Sequence, residues 1–304
     1  MKTIPAGVFP TMITPYDVKG RIDYDAIDKM VEWYIAHQVA GVFAVCQSSE
    51  MFYLDEDERV ALSRRVVQAA KGRVSVVASG HVSDTFDDQV RELSRIAETG
   101  VDAVVLVSNR LAAAGEDDAM LINSMHHLIS ALDGVPLGMY ECPQPYKRLL
   151  SDEVLLAMVD TGRFAFVKDT CCDADTIRHR LALLDGGIAL YNANTATLLE
   201  SLRSGAAGYS GIMGNIHPQL YVWLQRHYAN MPEEAENLAA FLTLASGIER
   251  GAYPDCAKYH MVCSGISMET SSRSIPGEKF SKLLRVEMDA LLCLEAVIEP
   301  RYAL

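Results

Sequence analysis

Three stretches of this 304-residue chain share one grammar. In residues 36–47, 97–109 and 202–215 a helical pattern ends at or near a glycine, a short apolar run follows, and small polar residues close it. Glycine just past a helix adopts the left-handed conformation that stops it, and an unbroken Val/Ala/Leu run of about five residues marks a strand buried on both faces of a parallel sheet. The same pattern places eight candidate strands at residues 8–12, 42–46, 74–79, 103–107, 136–140, 164–168, 188–192 and 208–212. Helical periodicities lie between them, for example over 24–37, with Ile27, Met30, Val31, Tyr34 and Ile35 on one stripe, and over 84–99 after a Ser83 cap. Strand then helix, eight times over about 220 residues, is the arithmetic of an α/β fold of the (β/α)8 TIM barrel kind. An open doubly wound sheet would call for a GxGxxG turn after an early strand, and none is present. Beyond about residue 220 no strand pattern remains, and 232–251, 254–265 and 278–299 have the spacing of amphipathic helices. The expected organisation is a barrel over residues 1–222 carrying the active site and a C-terminal helical extension over 223–304.

Composition narrows the function classes. Half the residues are apolar and 22% are charged, which suits a large buried core and excludes disorder. Forty acidic against 27 basic residues give a net charge of -13, with no basic cluster beyond pairs such as Arg64-Arg65. Such a surface repels phosphate backbones, so neither nucleic acid nor an anionic membrane is expected as a partner. The seven cysteines are odd in number, scattered and mostly within apolar runs, which favours buried free thiols over a disulfide frame. Cys171-Cys172 lacks the CxxC spacing of a redox or metal pair. The N-terminus has no long signal-peptide core, and no apolar run approaches the ~20 residues of a membrane span. A cytoplasmic protein is the expectation.

In a barrel of this kind chemistry sits where strands end and loops begin, so the polar strand tips are the candidates. Lys168 closes the apolar run Phe164-Ala165-Phe166-Val167. Burial there would lower its pKa and make a nucleophilic amine; alternatively it alternates outward or pairs with Asp169 or Glu141. Tyr140, one strand earlier, would set a phenol beside that amine for proton relay, or serve as an amphipathic core residue. Ser48 and Ser49, in a tight turn before a helix, offer hydroxyls and backbone N–H groups as a carboxylate cradle. Gly205, Gly208 and Gly211 near the eighth strand suggest either phosphate binding or close backbone packing. His81 and His217 follow strands, yet neither HExxH nor a two-His-carboxylate spacing accompanies them, so no metal site is expected.

Taken together these residues resemble the dihydrodipicolinate synthase and N-acetylneuraminate lyase family of Schiff-base, class I aldolase type enzymes. The resemblance covers essentially the whole chain. Residues 7–16 (GVFPTMITPY) with 20–23 (GRID) are similar to its N-terminal signature, and Cys46-Gln47-Ser48-Ser49-Glu50 occupies its GTTGE-type loop. Tyr140 falls at its YN-x-P tyrosine, and Lys168 at its Lys-[Asp/Glu] lysine.

The resemblance implies that Lys168 attacks the ketone carbon of pyruvate or a longer 2-oxo acid to give an iminium, with Tyr140 relaying protons and no cofactor. Ser48 and Ser49 would hold the carboxylate and Glu50 would organise the loop; Gln47, Arg110 and Gly211 are further substrate-site candidates at the strand tips, Arg110 either contacting the distal polar end of a longer acid or standing as a solvated loop residue. A homotetramer or dimer is implied in the same way. Departures from the family pattern bear on specificity. Cys46 and Gln47 stand where the family has Gly and a hydroxyl residue, and Ser108-Asn109-Arg110 stands where the synthase branch has a tyrosine pair. Gln144-Pro145-Tyr146, with Lys147 and Arg148 beyond, lies near the place of that branch's arginine. The expectation is therefore an aldolase or dehydratase acting on a 2-oxo (sugar) acid; the alternatives are dihydrodipicolinate synthase proper and a silent 2-oxo-acid-binding paralogue.

Overall fold

Eight parallel strands follow one another around the sheet of this computed structural model, which describes residues 3–132, 134–275 and 280–304. They are β1 (Gly7–Val8), β2 (Gly41–Phe43), β3 (Ser75–Ala78), β4 (Ala103–Val107), β5 (Leu137–Tyr140), β6 (Phe164–Asp169), β7 (Ala189–Asn192) and β8 (Gly208–Tyr209). Their order, β1-β8-β7-β6-β5-β4-β3-β2, leaves β1 and β2 to meet, and the N–H groups of Ala40, Phe43 and Met12 join them through Val8 O, Pro10 O and Phe43 O at 2.9 to 3.1 Å. The ring closes as a (β/α)8 barrel. Strands β1, β2 and β8 are shorter than their apolar runs. In β1 the ladder is interrupted at Pro10, which has no N–H to give, and resumes as a single bridge between Thr11 and Phe43.

The barrel interior is filled by aromatic rings. Phe166 stacks on Tyr191 at 4.7 Å between centroids, and Phe9 meets Tyr191 edge-on at 4.9 Å. Gly41 is small because a Cβ there would lie 2.1 Å from the Phe9 ring.

The first expected helix runs Tyr24–Ala36 and is capped by Asp23. The second, Phe86–Ala97, is capped by Thr85, whose side chain accepts from Asp88 N. The expected Ser83 cap is thus corrected: Ser83 lies two residues upstream and gives its hydroxyl to Glu92, as does its N–H. The helix expected over 232–251 ends at Ala245 and tightens into a 3-10 turn, Ser246–Arg250. Helices Asp255–Cys263 and Lys282–Ile298 complete the extension, and the expected start of the last, at 278, lies outside the described residues. Helix Pro218–His227 spans the expected division after residue 222. The cysteines depart from expectation in one respect: Cys46, Cys142 and Cys256 are buried, but Cys172, Cys263 and Cys293 are exposed, and all seven are free.

A buried cluster latches the extension to the barrel. Glu295 accepts from His217 Nδ1 at 2.6 Å and from His260 Nε2 at 2.7 Å, joining the last helix to the loop after β8 and to helix Asp255–Cys263. Burial pushes the Glu295 carboxyl up, but the two imidazoles outweigh it and hold the group at about 2. A carboxyl whose folded pKa lies below its unfolded value stabilises the fold above the unfolded pKa and loses that stability as pH falls through the folded one. Between pH 4.5 and about 2 the latch should therefore lose about 3 kcal/mol. Urea titrations across this range should show the loss in the native chain and a much flatter dependence in Glu295→Gln.

Candidate active site

Parallel register builds the site. Lys168 on β6 pairs with Tyr140 on β5 and with Tyr191 on β7, all at the C-terminal end of the barrel. There a cavity of about 610 Å3 opens, with Gln47, Ser48, Arg110, Tyr140, Lys168 and Gly211 among its walls. A second cavity, about 620 Å3, lies at the opposite end of β6 and β7 among Ile4, Phe164, Leu181 and Ile188. Its charged wall is Arg178, already paired with Asp175 at 2.7 Å, so it offers no reactive constellation.

Lys168 is 5% exposed, and among the described residues no carboxylate pairs with it. Nζ lies 4.3 Å from the centre of the Tyr140 ring and 5.7 Å from that of Phe43. Burial pushes the ammonium pKa below its ordinary 10.5, while Cys46, Cys142 and Glu249 pull it back. The carboxylates that sequence offered as its partners are engaged elsewhere. Arg180 takes both Glu141, at 2.8 Å, and Asp169, and Glu141 further accepts from Leu150 N and Thr170 N at 2.8 and 2.7 Å. The amine is left with rings around it and a cavity in front. The Tyr140 phenol is held protonated, its pKa well above 10 because it is buried.

Ser48 and Ser49 separate. Ser48 Oγ, on the cavity wall, donates to Thr11 Oγ1 at 3.0 Å. Ser49 lies off the cavity: its Oγ sits 2.7 Å from Met12 O and 2.5 Å from Ala44 O and accepts from Cys46 N, so this hydroxyl ties the loop to the barrel wall. The Ser49 and Glu50 N–H groups close the turn onto Cys46 O and Gln47 O at 3.1 and 2.9 Å. Among the described residues the Gln47 and Ser48 N–H groups have no partner, and both residues line the cavity. Gln47 Oε1 accepts from Cys142 Sγ at 3.4 Å. Glu50, at φ +61°, is held in this left-handed conformation by its carboxylate, which accepts from Ser274 N at 2.7 Å and from buried Lys258 at 3.2 Å.

Arg110 reaches the cavity with its Nη1 on Val82 O, at 3.2 Å, and on the exposed Asp84, at 2.6 Å; its Nε is buried without a partner. Gly211 cannot carry a side chain, because a Cβ would sit 2.3 Å from the Tyr209 hydroxyl and 2.6 Å from Ala193 O. Close packing likewise accounts for Gly208, whose Cβ would lie 1.8 Å from Gly7 O. His81 and His217 do not line the cavity. His81 Nδ1 accepts from Val107 N at 3.0 Å, and burial pushes its pKa to about 4. Asn109 holds the loop after β5, donating to Cys142 O and Gln144 O at 2.7 and 2.9 Å.

Five wall residues come from the extension and carry no signal in the sequence, Pro254 and Ile275 among them. Glu249, Tyr253 and Ser274 fold back over the mouth. Burial raises the Glu249 carboxyl, with Arg250 and then Lys168 opposing it. The Tyr253 hydroxyl accepts from Asn215 Nδ2 at 3.2 Å.

A buried lysine with no carboxylate partner among the described residues lies beside a phenol at the C-terminal mouth of the (β/α)8 barrel, and the class is a lyase of the class I aldolase type. The model of the dihydrodipicolinate synthetase family matches residues 4–291, and the chain belongs to that family. It is 26% identical over 216 residues to a 4-hydroxy-tetrahydrodipicolinate synthase of Pseudomonas savastanoi pv. phaseolicola, spanning 71% of this chain and 72% of the relative. Among solved structures, a dihydrodipicolinate synthase of Acinetobacter baumannii in complex with pyruvate superposes with a TM-score of 0.85 at 20% identity, covering 95% of this chain and 98% of the other. CdNal of Clostridium difficile in complex with mannosamine does so with a TM-score of 0.83 at 16% identity, covering 94% and 97%. At these identities the two structures share the fold. Among the described residues no helix is long and apolar enough to cross a membrane.

Proposed function

We propose that the protein forms a Schiff base between Lys168 and pyruvate or a longer 2-oxo (sugar) acid, and catalyses aldol cleavage, condensation or dehydration. The observation that carries this reading is the unpaired, buried amine facing a cavity beside Tyr140. Neutral Nζ attacks the ketone carbon, and loss of the hydroxyl as water gives the iminium. Breaking the bond from C3 to hydrogen or to C4 leaves its electron pair in the enamine, and protonation then restores the iminium for hydrolysis. Once the iminium has formed, Tyr140 moves the protons of the bond-breaking and protonation steps. Ser48 and the N–H groups of Gln47 and Ser48, unpartnered among the described residues, hold the substrate carboxylate, and Gly211 forms part of the wall around the substrate. The scheme requires no cofactor. Free cysteines suit the cytoplasm, and family membership supports a homotetramer or dimer.

Arg110 bears on the choice of substrate. Its guanidinium stands on the cavity wall and brings a planar donor group for a distal carboxylate or paired hydroxyls. The curated relative favours dihydrodipicolinate synthase proper, which would condense pyruvate with aspartate semialdehyde. A panel of hydroxylated 2-oxo acids, assayed for pyruvate release or water loss beside that condensation, tests the reading. Turnover of a hydroxylated acid supports it, condensation alone selects the synthase, and binding without any turnover overturns it. For the preferred long acid, Arg110→Ala should cost about 1.5–3 kcal/mol in kcat/KM, the scale of a hydrogen bond to a charged group. Pyruvate trapping should be unchanged. Equal effects on every acid, or none, would make Arg110 a loop residue.

A further inference from the structure

The cavity carries an unmatched charge at its mouth. Glu249, half-buried in the 3-10 turn Ser246–Arg250, lines the cavity, and among the described residues no hydrogen bond or ion pair engages its carboxylate. Arg250 beside it is exposed and forms no ion pair among those residues. The other charges on the wall are met. Glu50 holds Lys258 at 3.2 Å, and Arg110 holds Asp84 at 2.6 Å. Lys168 becomes an iminium whose charge the carboxylate of the bound 2-oxo acid balances. Glu249 alone has to find its match in the far end of a ligand.

The fold sets that end. The turn carrying Glu249 packs on Ile212–Asn215, which follows β8, whereas Arg110 follows β4. In a ring of eight strands β4 and β8 stand opposite each other, so Arg110 and Glu249 approach the cavity from facing walls, one donating and the other accepting.

We infer that Glu249 is a specificity-determining residue, which accepts hydrogen bonds from the distal hydroxyls of a 2-oxo acid and turns away acids that end in a second carboxylate. The assignment rests on the Schiff-base reading and narrows its substrate to a 2-oxo acid with a neutral, hydroxylated tail. A hydroxyl both donates and accepts, so a vicinal diol can give its hydrogens to Glu249 while taking one from Arg110. A distal carboxylate has no hydrogen to give and sets like charge against like. Burial disfavours the free Glu249 carboxylate, and a hydroxyl donor from the substrate restores what burial removes.

Matched pairs of 4-hydroxy-2-oxo acids with five and six carbons, one member of each ending in a hydroxymethyl group and the other in a carboxylate, test the assignment. In each case kcat/KM is read from pyruvate release or water loss. The native chain should favour the hydroxymethyl member. Glu249→Gln, which keeps the size and removes the charge, should shrink that preference by about 10- to 100-fold, whereas Glu249→Asp, which keeps the charge, should go on rejecting the carboxylate. A structural role alone would move both members of a pair together and leave their ratio fixed. A native preference for the carboxylate members, turnover of neither member, a ratio that Glu249→Gln does not change, or equal ratios in Glu249→Asp and Glu249→Gln would overturn the assignment. Borohydride trapping of pyruvate in the same preparations separates the two readings: an adduct on Lys168 with an unchanged ratio removes Glu249 alone, and no adduct removes the Schiff base and this assignment with it.

Discussion

Lys168→Ala should remove the covalent intermediate and lower kcat/KM by at least about 10⁴-fold, because no other amine among the described residues lines the cavity. The fold should survive. An ammonium with aromatic rings around it and no counter-ion is unfavourable, so Lys168→Met should melt no lower than the native chain. The same burial fixes the pH dependence: the amine must be neutral to attack, so single-turnover trapping should rise with pH and level off below the 10.5 of an ordinary lysine. A plateau at or above 10.5 would show an amine open to solvent. Near-native turnover in Lys168→Ala would remove it from the mechanism.

Tyr140→Phe should leave the adduct intact while lowering turnover by roughly 10²–10⁴-fold, the range for a general acid–base group. Phenylalanine keeps the ring that stands 4.3 Å from Nζ and meets Phe43 edge-on, so packing and the amine's surroundings are retained. Only the hydroxyl is lost. Its buried proton, held well above the ordinary phenol range, passes to a partner only while the substrate offers a developing charge. Rapid-quench trapping measured beside steady-state turnover separates the two steps. Equal loss in both would make Tyr140 part of iminium formation, and no loss in either would make it a core residue.

The barrel was legible because burial on both faces leaves continuous apolar runs at β4 and β6, and Lys168 was legible because such a run ends in a charge. The fate of that charge was not. Arg180 lies on a helix beyond β6, and its capture of Glu141 and Asp169 depends on how that helix packs, which local sequence does not encode. Ser49 shows the same limit: adjacent serines look alike in sequence, but successive residues of a tight turn point different ways, and only Ser48 reaches the cavity. The wall made by Glu249 and Tyr253 arises when the extension folds back, through the Glu50–Lys258 pair and the His217–Glu295–His260 latch. These contacts join residues 35 to 208 positions apart. Periodicity showed the helices that carry them and nothing of where they dock.

Borohydride reduction in the presence of pyruvate and of a panel of longer 2-oxo acids, read by intact mass and peptide mapping, tests the central claim most directly. One reduced adduct per chain should form, on the peptide containing Lys168, for pyruvate and for the preferred long acid. An adduct on another lysine such as Lys147 or Lys258, an adduct that persists in Lys168→Ala, or none with any acid would contradict it.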